Sequence, residues 1–188
     1  MKQQIFLVRH GETEWSQTGR HTGRTDVPLT SEGEVRAAAI GRMLAGQKLT
    51  VWTSPLRRAR DTCRLAGFAD AARVDEDLRE WDYGIYEGRA TLDIRKEIPA
   101  WSIWLSPIPG GESLEQVAAR ARRVIDRATA AGEGDLALFA HGHILRILAA
   151  CWIGLPPVTG RFLALGTASV SVLGYERQTR VIRHWNQL

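Results

Sequence analysis

The chain has 188 residues, of which 44% are hydrophobic and 24% are charged, and its formal net charge is +4. This composition is typical of one globular domain with a substantial buried core, and it excludes disordered and fibrous proteins. No apolar run approaches the roughly 20 residues that span a bilayer, and the apolar stretch at residues 5–8 is too short for a secretory signal. We therefore expect a single domain over residues 1–188, located in the cytoplasm.

The first predicted elements are a strand, a loop and a helix. Residues 5–8 form an apolar run that predicts a buried strand, and the polar, glycine-containing stretch 9–29 predicts a loop. A helix should follow from Thr30 or Ser31, either of which can cap it, and Glu34 would complete a capping box with Ser31. Its apolar stripe would consist of three residues spaced four apart: Val35, Ala39 and Met43.

The second strand is expected at residues 49–53. Ser54 followed by Pro55 is typical of a helix start, because Ser can accept hydrogen bonds from free helical amides and Pro has a preset helical φ angle. This start predicts that three arginines lie in or near the first turns of the helix: Arg57, Arg58 and Arg60.

The middle of the chain is predicted to contain an aromatic-rich loop at residues 78–88 and a short helix at residues 91–98. A longer helix should begin at Ser113, which can form a capping box with Gln116. The apolar stripe of that helix would consist of Leu114, Val117, Ala121, Val124, Ile125 and Ala128, and Gly132 and Gly134 are expected to end it.

The last third contains an apolar run at residues 136–140, typical of a buried strand, and an apolar helix at residues 144–153. Residues 169–175 and 180–185 are predicted to pair as a closing hairpin. Strands that alternate with helices indicate a three-layer α/β/α sandwich with a mostly parallel central sheet.

Basic and imidazole side chains follow three of the predicted strands. Arg9 and His10 end the first strand, Arg58 follows the second, and His141 follows the last parallel strand. Ligands of such sheets bind beyond the carboxyl ends of the strands, so these groups can meet in one pocket. Guanidinium groups suit a phosphoryl group, and a neutral imidazole can attack phosphorus. The leaving oxygen needs a proton, and Glu80 is the candidate donor because its aromatic neighbours favour a protonated carboxyl.

The spacing of cysteines and histidines provides no recognisable metal site. Cys63 and Cys151 lie far apart and form no CxxC pair, so we expect free thiols. His141 and His143 are two residues apart, but no third ligand accompanies them, and His143 is expected to line the pocket or cap the following helix. No cofactor or metal is therefore expected.

Of the 25 Lys and Arg residues, only Lys2, Lys48 and Lys96 are lysine, so most of the positively charged side chains are arginine. Arginine suits bidentate contacts to phosphate, but most of these arginines lie on predicted helices, where a solvated basic face is the ordinary explanation. Such a face, rather than a nucleic-acid surface, is expected for Arg120, Arg122, Arg123 and Arg127.

Five blocks of sequence, in order, closely resemble the signatures of the histidine phosphatase superfamily, the phosphoglycerate mutase-like clan. They are LVRHGETEW at residues 7–15 with TGRTDVPLT at 22–30, TSPLRRARDT at 53–62, the stretch 78–88, GGES at 110–113 and FAHGH at 139–143. Five ordered blocks are far more specific than the triplet Arg-His-Gly alone. The resemblance implies the phosphoglycerate mutase-like fold and phosphoryl-transfer chemistry.

The resemblance also implies a catalytic set. His10 would be the nucleophile that becomes phosphohistidine, and Arg9 would hold the phosphate beside it. In the second block the family arginine directly precedes Ala, which selects Arg58. His141 would donate to a phosphate oxygen, and Glu80 would protonate the leaving oxygen.

Contacts to the rest of the substrate follow from the same resemblance. The expected substrate-binding residues are Ser16, Thr22, Gly23, Tyr83, Gly142 and His143. Ser16 stands where many family members have Asn, and its hydroxyl can still donate a hydrogen bond. Trp101 and Trp104 are expected either in the core or in a cover over the site.

The superfamily contains mutases, which return the phosphoryl group to a substrate, and phosphatases, which give it to water. Only residues 89–109 lie where mutases typically have longer insertions, so hydrolysis is favoured. The motifs resemble most the sugar-bisphosphatase branch, typified by fungal sedoheptulose-bisphosphatase. The predicted function is therefore hydrolysis of small phosphomonoesters, in particular sugar phosphates or bisphosphates.

Two alternatives stay open: a cofactor-dependent phosphoglycerate mutase, and a non-catalytic phosphate-binding regulatory module. The expected partner is a small phosphorylated metabolite, with no role for nucleic acid or membrane, and a homodimer is left open.

Overall fold

Six strands form one sheet in the computed structural model, which describes residues 2–131 and 134–188. The strands are β1 (Ile5–Arg9), β2 (Leu49–Thr53), β3 (Ala72–Val74), β4 (Asp135–Ala140), β5 (Val170–Glu176) and β6 (Thr179–Gln187). Their spatial order is β3-β2-β4-β1-β5-β6. The first four strands are parallel to one another, β5 is antiparallel to β1, and β6 is antiparallel to β5. The predicted α/β class and mostly parallel sheet are confirmed.

Helices cover both faces of this sheet. They are α1 (Glu14–Gln17), α2 (Ser31–Met43), α3 (Arg57–Leu65), α4 (Thr91–Glu97), α5 (Leu114–Ala131) and α6 (Gly142–Trp152). Alternate residues of β1 enter two separate core clusters, because neighbouring side chains on a strand point to opposite faces. Ile5 and Leu7 pack with α5 and α6, whereas Phe6 and Val8 pack with α2 and α3.

The register of the parallel strands brings three chain segments together at one edge of the sheet. Arg9 on β1 pairs with Ala140 on β4, and Thr53 on β2 pairs with Phe139 on β4. The residues that follow these strands therefore leave the sheet side by side. This arrangement, which the sequence predicted, creates the site described below.

Helix α2 is capped by one of the two predicted residues but differs from its prediction in the capping box and in the buried face. Thr30 caps it by accepting a hydrogen bond from the Gly33 amide at 3.0 Å, so the capping box from Ser31 is wrong. The predicted stripe is largely in solvent, with Val35 66% and Met43 41% exposed. The buried face is the neighbouring row of Gly33, Ala37 and Ile40, and it packs closely because a Cβ at Gly33 would lie only 2.2 Å from the Glu12 carbonyl oxygen.

Other elements follow their predictions more closely. Ser113 and Gln116 form the predicted capping box of α5, with N···O distances of 2.7 and 3.2 Å. Gly134 follows this helix, whereas Gly132 lies outside the described residues. Helix α3 begins at Arg57 instead of at the Ser-Pro pair, and both α1 and the short edge strand β3 lie in stretches where no element was predicted.

Candidate active site

His10 follows β1 directly and is held by backbone contacts on both sides. Its amide donates to the Ala140 carbonyl at 2.9 Å, and its own carbonyl accepts from the Ala168 amide at 3.0 Å. The ring Nδ1 lies 2.7 Å from the Gly11 carbonyl oxygen, which can only accept, so Nδ1 carries the proton. The lone pair of the neutral ring is therefore on Nε2, the nitrogen required for attack on an electrophile.

The environment of His10 keeps this ring neutral. Burial is the main cause that lowers its pKa well below the usual histidine value, and the charges of Arg58 and Arg9 lower it further. Its hydrogen bond to Gly11 acts in the opposite direction and does not outweigh them. An unprotonated imidazole is thus available as a nucleophile even in mildly acidic solution.

Two arginines lie beside this imidazole in fixed positions. Arg9 donates through Nη1 to the Leu165 carbonyl. Arg58 is fully buried, and its two terminal nitrogens donate to the carbonyls of Thr25, Thr22 and Gly23 at 2.9–3.0 Å. Neutral carbonyl partners hold each guanidinium without compensating its charge, which leaves a positive field for an anion.

His141 occupies a complementary position on the neighbouring strand end, with its ring centroid 5.2 Å from that of His10. Its Nε2 lies 2.8 Å from Ser54 Oγ, which also accepts from the Leu56 amide at 3.3 Å. Among the described residues this buried hydroxyl has no other acceptor within hydrogen-bond distance, so its own proton points to Nε2 of His141. The imidazole proton then resides on Nδ1, which is free to donate.

Unused hydrogen-bond donors identify the ligand class. In the part of the chain that the structure describes, four buried side-chain nitrogens have no partner, and three belong to this site: Arg9 Nε, Arg58 Nε and His141 Nδ1. Buried polar atoms are normally paired, so such a cluster is typical of a binding site without its ligand. Three unpaired donors, two of them on cationic side chains, suit the oxygens of a phosphoryl group.

Glu80 approaches the same pocket from an irregular segment, with its side chain almost buried. Oε1 accepts hydrogen bonds from the amides of Trp81 and Ile144, both at 3.0 Å, and Oε2 accepts from the His143 amide at 2.9 Å. A carboxyl group has about four lone-pair positions, so one position on Oε2 accepts no hydrogen bond within the described residues, and the side chain lines the pocket. Amide donors, and not only the expected aromatic rings, therefore surround this group.

A pocket of about 160 Å³ opens above these groups. Its lining residues are Arg9, His10, Ser16, Gly19, Arg20, His21, Thr22, Glu80, Tyr83, Gly142, His143, Arg146 and Leu165. Eight residues predicted from sequence are among them, whereas Arg58 and His141 are fully buried behind the lining. Gly23 is also absent from the lining, and its backbone instead accepts from Arg58.

Several predicted substrate contacts acquire a more specific description. The Ser16 hydroxyl donates to the Thr13 carbonyl at 2.8 Å and accepts from the Thr13 amide, so its proton is already used within α1. The Tyr83 hydroxyl lies 2.7 Å from His143 Nδ1, and burial is the main cause that lowers the pKa of this histidine. His143 is therefore neutral, and its Nδ1 pairs with the Tyr83 hydroxyl.

Gly142 lies beside the cationic side of the pocket, where a Cβ would make only ordinary van der Waals contacts. A Cβ at this position would lie 3.4 Å from Arg9 Nε and 3.7 Å from Glu80 Oε2. The two tryptophans expected in the core or in a cover belong to the packing around the pocket: Trp101 is 1% exposed, and Trp104 lies 5.1 Å from the His143 ring, centroid to centroid.

Sequence reasoning missed some of the residues that form the site. Arg20 and His21 precede the matched Thr22, and their adjacency to that motif was an available signal. Ser54 was interpreted as a helix cap, although it binds His141. Leu165 acts through its backbone carbonyl, which has no signature in the sequence.

Metal-binding and membrane-spanning features are both missing from the described residues. Among these residues, no group of three or more His, Cys, Asp or Glu side chains is placed to hold a metal ion. Over the same ranges, no helix has both the length and the apolar character needed to cross a membrane.

A family model described as histidine phosphatase superfamily (branch 1) matches residues 5–188. An acid phosphatase from Mycobacterium tuberculosis is 41% identical over 180 residues, covering 94% of this chain and 88% of the relative. A sedoheptulose 1,7-bisphosphatase from Saccharomyces cerevisiae is 39% identical over 183 residues, covering 80% and 67%. A probable phosphoglycerate mutase from Salmonella choleraesuis is 31% identical over 192 residues, covering 97% and 89%.

Solved structures agree with this comparison. The product of the open reading frame Rv3214 from Mycobacterium tuberculosis superposes with a TM-score of 0.95 at 38% identity, covering 100% of this chain and 98% of that one. A mycobacterial glucosyl-3-phosphoglycerate phosphatase superposes with a TM-score of 0.88 at 29% identity, covering 99% and 100%.

Proposed function

The chain belongs to the histidine phosphatase superfamily, and we propose that it hydrolyses small phosphomonoesters through a phosphohistidine intermediate on His10. It is a phosphoric monoester hydrolase, a phosphatase of small phosphorylated substrates. The observation that carries the mechanism is the neutral His10 ring, which has its Nδ1 engaged by Gly11, lines one pocket with Arg9 and Glu80, and lies 5.2 Å from the His141 ring. One domain over residues 1–188 would perform the reaction.

The first step transfers the phosphoryl group to the protein. His10 Nε2 forms a bond to phosphorus while the bond from phosphorus to the leaving oxygen breaks. Arg9, Arg58 and His141 Nδ1 donate to the peripheral oxygens, whose charge they stabilise throughout the transfer. Glu80 gives the proton on Oε2 to the leaving oxygen, so the product departs as an alcohol.

The second step regenerates the protein. Water attacks phosphorus as the bond to His10 Nε2 breaks, and Glu80, now a carboxylate, takes a proton from that water. Inorganic phosphate is released, and both His10 and Glu80 return to their starting protonation states. No other co-reactant is needed for this balance.

The wall of the pocket around the leaving group favours substrates with a second anionic group. Arg20 is exposed at the rim, and Arg146 is held by the carbonyls of Gly160 and Arg161, both at 3.0 Å, and by the Trp104 ring. Neither guanidinium is paired with a carboxylate within the described residues. We infer that sugar phosphates or bisphosphates, which add hydroxyl groups or a second phosphate, are the preferred substrate class.

Two measurements test this function. Turnover of a panel of sugar monophosphates and bisphosphates should give measurable kcat/KM values, and uniformly negligible release of phosphate would refute the substrate class. The preference for bisphosphates should shrink in an Arg20→Ala variant, whose side chain is exposed and uninvolved in the core.

The nucleophile is tested by His10→Ala. Hydrolysis and phosphoenzyme labelling from a radioactive phosphomonoester should both disappear, while the circular dichroism spectrum stays unchanged. A matched control is His184→Ala, which removes an exposed imidazole on β6. Activity of the His10 variant within a few fold of the parent would refute the assignment.

The alternatives make different predictions. A cofactor-dependent mutase, the activity suggested by the name of the Salmonella relative, would interconvert phosphoglycerate isomers faster than it releases phosphate. A regulatory module would bind phosphate without labelling or turnover. The presence of both a candidate nucleophile and a candidate acid favours the enzyme. The homodimer and the cytoplasmic location stay predictions from sequence.

A further inference from the structure

Arg120 was interpreted from sequence as part of a solvated basic face, and the structure contradicts this. Its side chain on α5 is only 12% exposed. Nη1 donates to the carbonyls of Asp77 and Arg79 at 2.8 and 2.9 Å, and Nη2 approaches the Glu80 carbonyl at 3.4 Å. One guanidinium thus holds the backbone of three residues in the segment that carries the candidate acid.

The same guanidinium is fixed by a second contact. Nε and Nη2 donate to the two carboxylate oxygens of Glu112, both at 2.8 Å, in a bidentate pair. Glu112 in turn accepts from the Asp82 amide at 3.0 Å and, through its carbonyl, from the Trp81 indole at 2.8 Å. Arg120 and Glu112 therefore bind residues on both sides of Glu80 in the chain: Arg120 binds Asp77 and Arg79, and Glu112 binds Trp81 and Asp82.

This support matters because the segment has no regular secondary structure. Residues 79–83 lie between two short 3₁₀ helices, Glu76–Leu78 and Gly84–Tyr86, and their carbonyls have no strand or helix ladder to bind. Buried carbonyls without such partners need side-chain donors. Arg120 supplies them, and its three side-chain nitrogens are all engaged by these carbonyls and by the Glu112 carboxylate, so none is left to bind substrate.

We propose that Arg120 is a positioning residue for the reaction, which sets the place of the Glu80 carboxyl through the backbone of residues 77–80. The inference rests on the proposed function, in which Glu80 protonates the leaving oxygen. Displacement of a catalytic group by about 1 Å can lower a rate roughly 100-fold, so loss of this support should impair proton transfer specifically.

Substrates that differ in their need for a proton separate this role from a general structural one. p-Nitrophenolate leaves as a stable anion, whereas the alkoxide of glycerol 2-phosphate must be protonated as it departs. In Arg120→Gln, kcat/KM for glycerol 2-phosphate should fall by about 10- to 100-fold, and kcat/KM for p-nitrophenyl phosphate by less than about threefold. The value of kcat/KM reflects only the steps up to and including phosphoryl transfer to His10, so the later hydrolysis of phosphohistidine does not affect it.

A double-mutant cycle with Glu80→Gln provides the second readout. If Arg120 acts through Glu80, the double variant should be no slower on glycerol 2-phosphate than Glu80→Gln alone. Arg120→Lys keeps a positive charge opposite Glu112 but loses the planar fork, and it should show the same selectivity with a smaller loss. This variant decides the question if Arg120→Gln does not fold.

The matched control is Arg123→Gln on the same helix. Arg123 pairs with the Asp77 side chain, is 53% exposed and makes no contact with the Glu80 backbone, so both substrates should be hydrolysed within about twofold of the parent rates. Equal losses on both substrates in the Arg120 variants, or additivity in the cycle, would overturn the positioning role. Failure of the proposed function is distinct, because wild-type hydrolysis of p-nitrophenyl phosphate would then not depend on His10.

Discussion

Removal of the Ser54 hydroxyl tests how the second imidazole is prepared to bind phosphate. In the structure this hydroxyl donates to His141 Nε2 at 2.8 Å, and both side chains are fully buried. The Ser54→Ala variant loses the contact that keeps the imidazole proton on Nδ1, the nitrogen without a partner. The change removes one oxygen atom and leaves the backbone of the strand end unaltered.

The expected effect on kcat/KM follows from the contact to His141; the substitution also removes the contact with the Leu56 amide, at 3.3 Å. A buried neutral hydrogen bond contributes about 0.5–1.5 kcal/mol, and freedom of the ring to turn or to exchange tautomer adds to that loss. A total of about 1–2 kcal/mol corresponds to a fall in kcat/KM of roughly 5- to 30-fold. The bound phosphate itself accepts from Nδ1 and partly restores the tautomer, which keeps the loss below that of removing the imidazole.

Steady-state kinetics with a sugar phosphate provide the assay, and Thr53→Val is the matched control. Thr53 is the preceding residue, almost buried, and its hydroxyl donates to the Ser54 carbonyl instead of to His141. Nitrogen NMR of the histidine rings should show the proton on Nδ1 of His141 in the parent and a mixed tautomer in Ser54→Ala. A kcat/KM value within twofold of the parent, with an unchanged tautomer, would refute this reasoning.

Three further predictions follow from burial and charge. Because burial, Arg58 and Arg9 lower the pKa of His10, the acidic limb of the kcat/KM profile for the parent should lie below the usual histidine value of about 6.5; a limb above it would contradict the assignment. Burial lowers the pKa of His21 to about 4, so the unfolded chain binds the proton more tightly and folded-state stability falls as pH decreases below 6.5. From pH 7 to pH 5, the unfolding free energy of the parent, measured by urea titration, should therefore fall by about 2 kcal/mol more than that of His21→Asn. Equal losses in the two proteins would contradict this prediction. Chelation should leave activity unchanged, because the arginines and imidazoles supply the positive field; inactivation reversed by a divalent ion would show otherwise.

Sequence patterns are enough to identify the polar residues that end the central strands. Hydrophobic runs located β1, β2 and β4 within a residue, and a parallel sheet necessarily brings the residues after such strands to one edge. The pattern of predicted strands was therefore sufficient to place Arg9, His10 and His141 at the same edge of the sheet. The candidate acid, by contrast, follows no strand, so Glu80 was indicated by its aromatic neighbours and by the motif resemblance, and the strand pattern did not place it beside the other three residues.

The groups that support these residues depend on the tertiary structure. Arg9 binds the Leu165 carbonyl 156 residues away, and Arg120 binds carbonyls more than 40 residues before it. Backbone acceptors are chemically the same at every position, so no local pattern distinguishes the ones that a distant side chain will reach. The face of α2 illustrates the same limit: two rows of residues were available, and close packing of Gly33 on the Glu12 backbone selected the row of Gly33, Ala37 and Ile40.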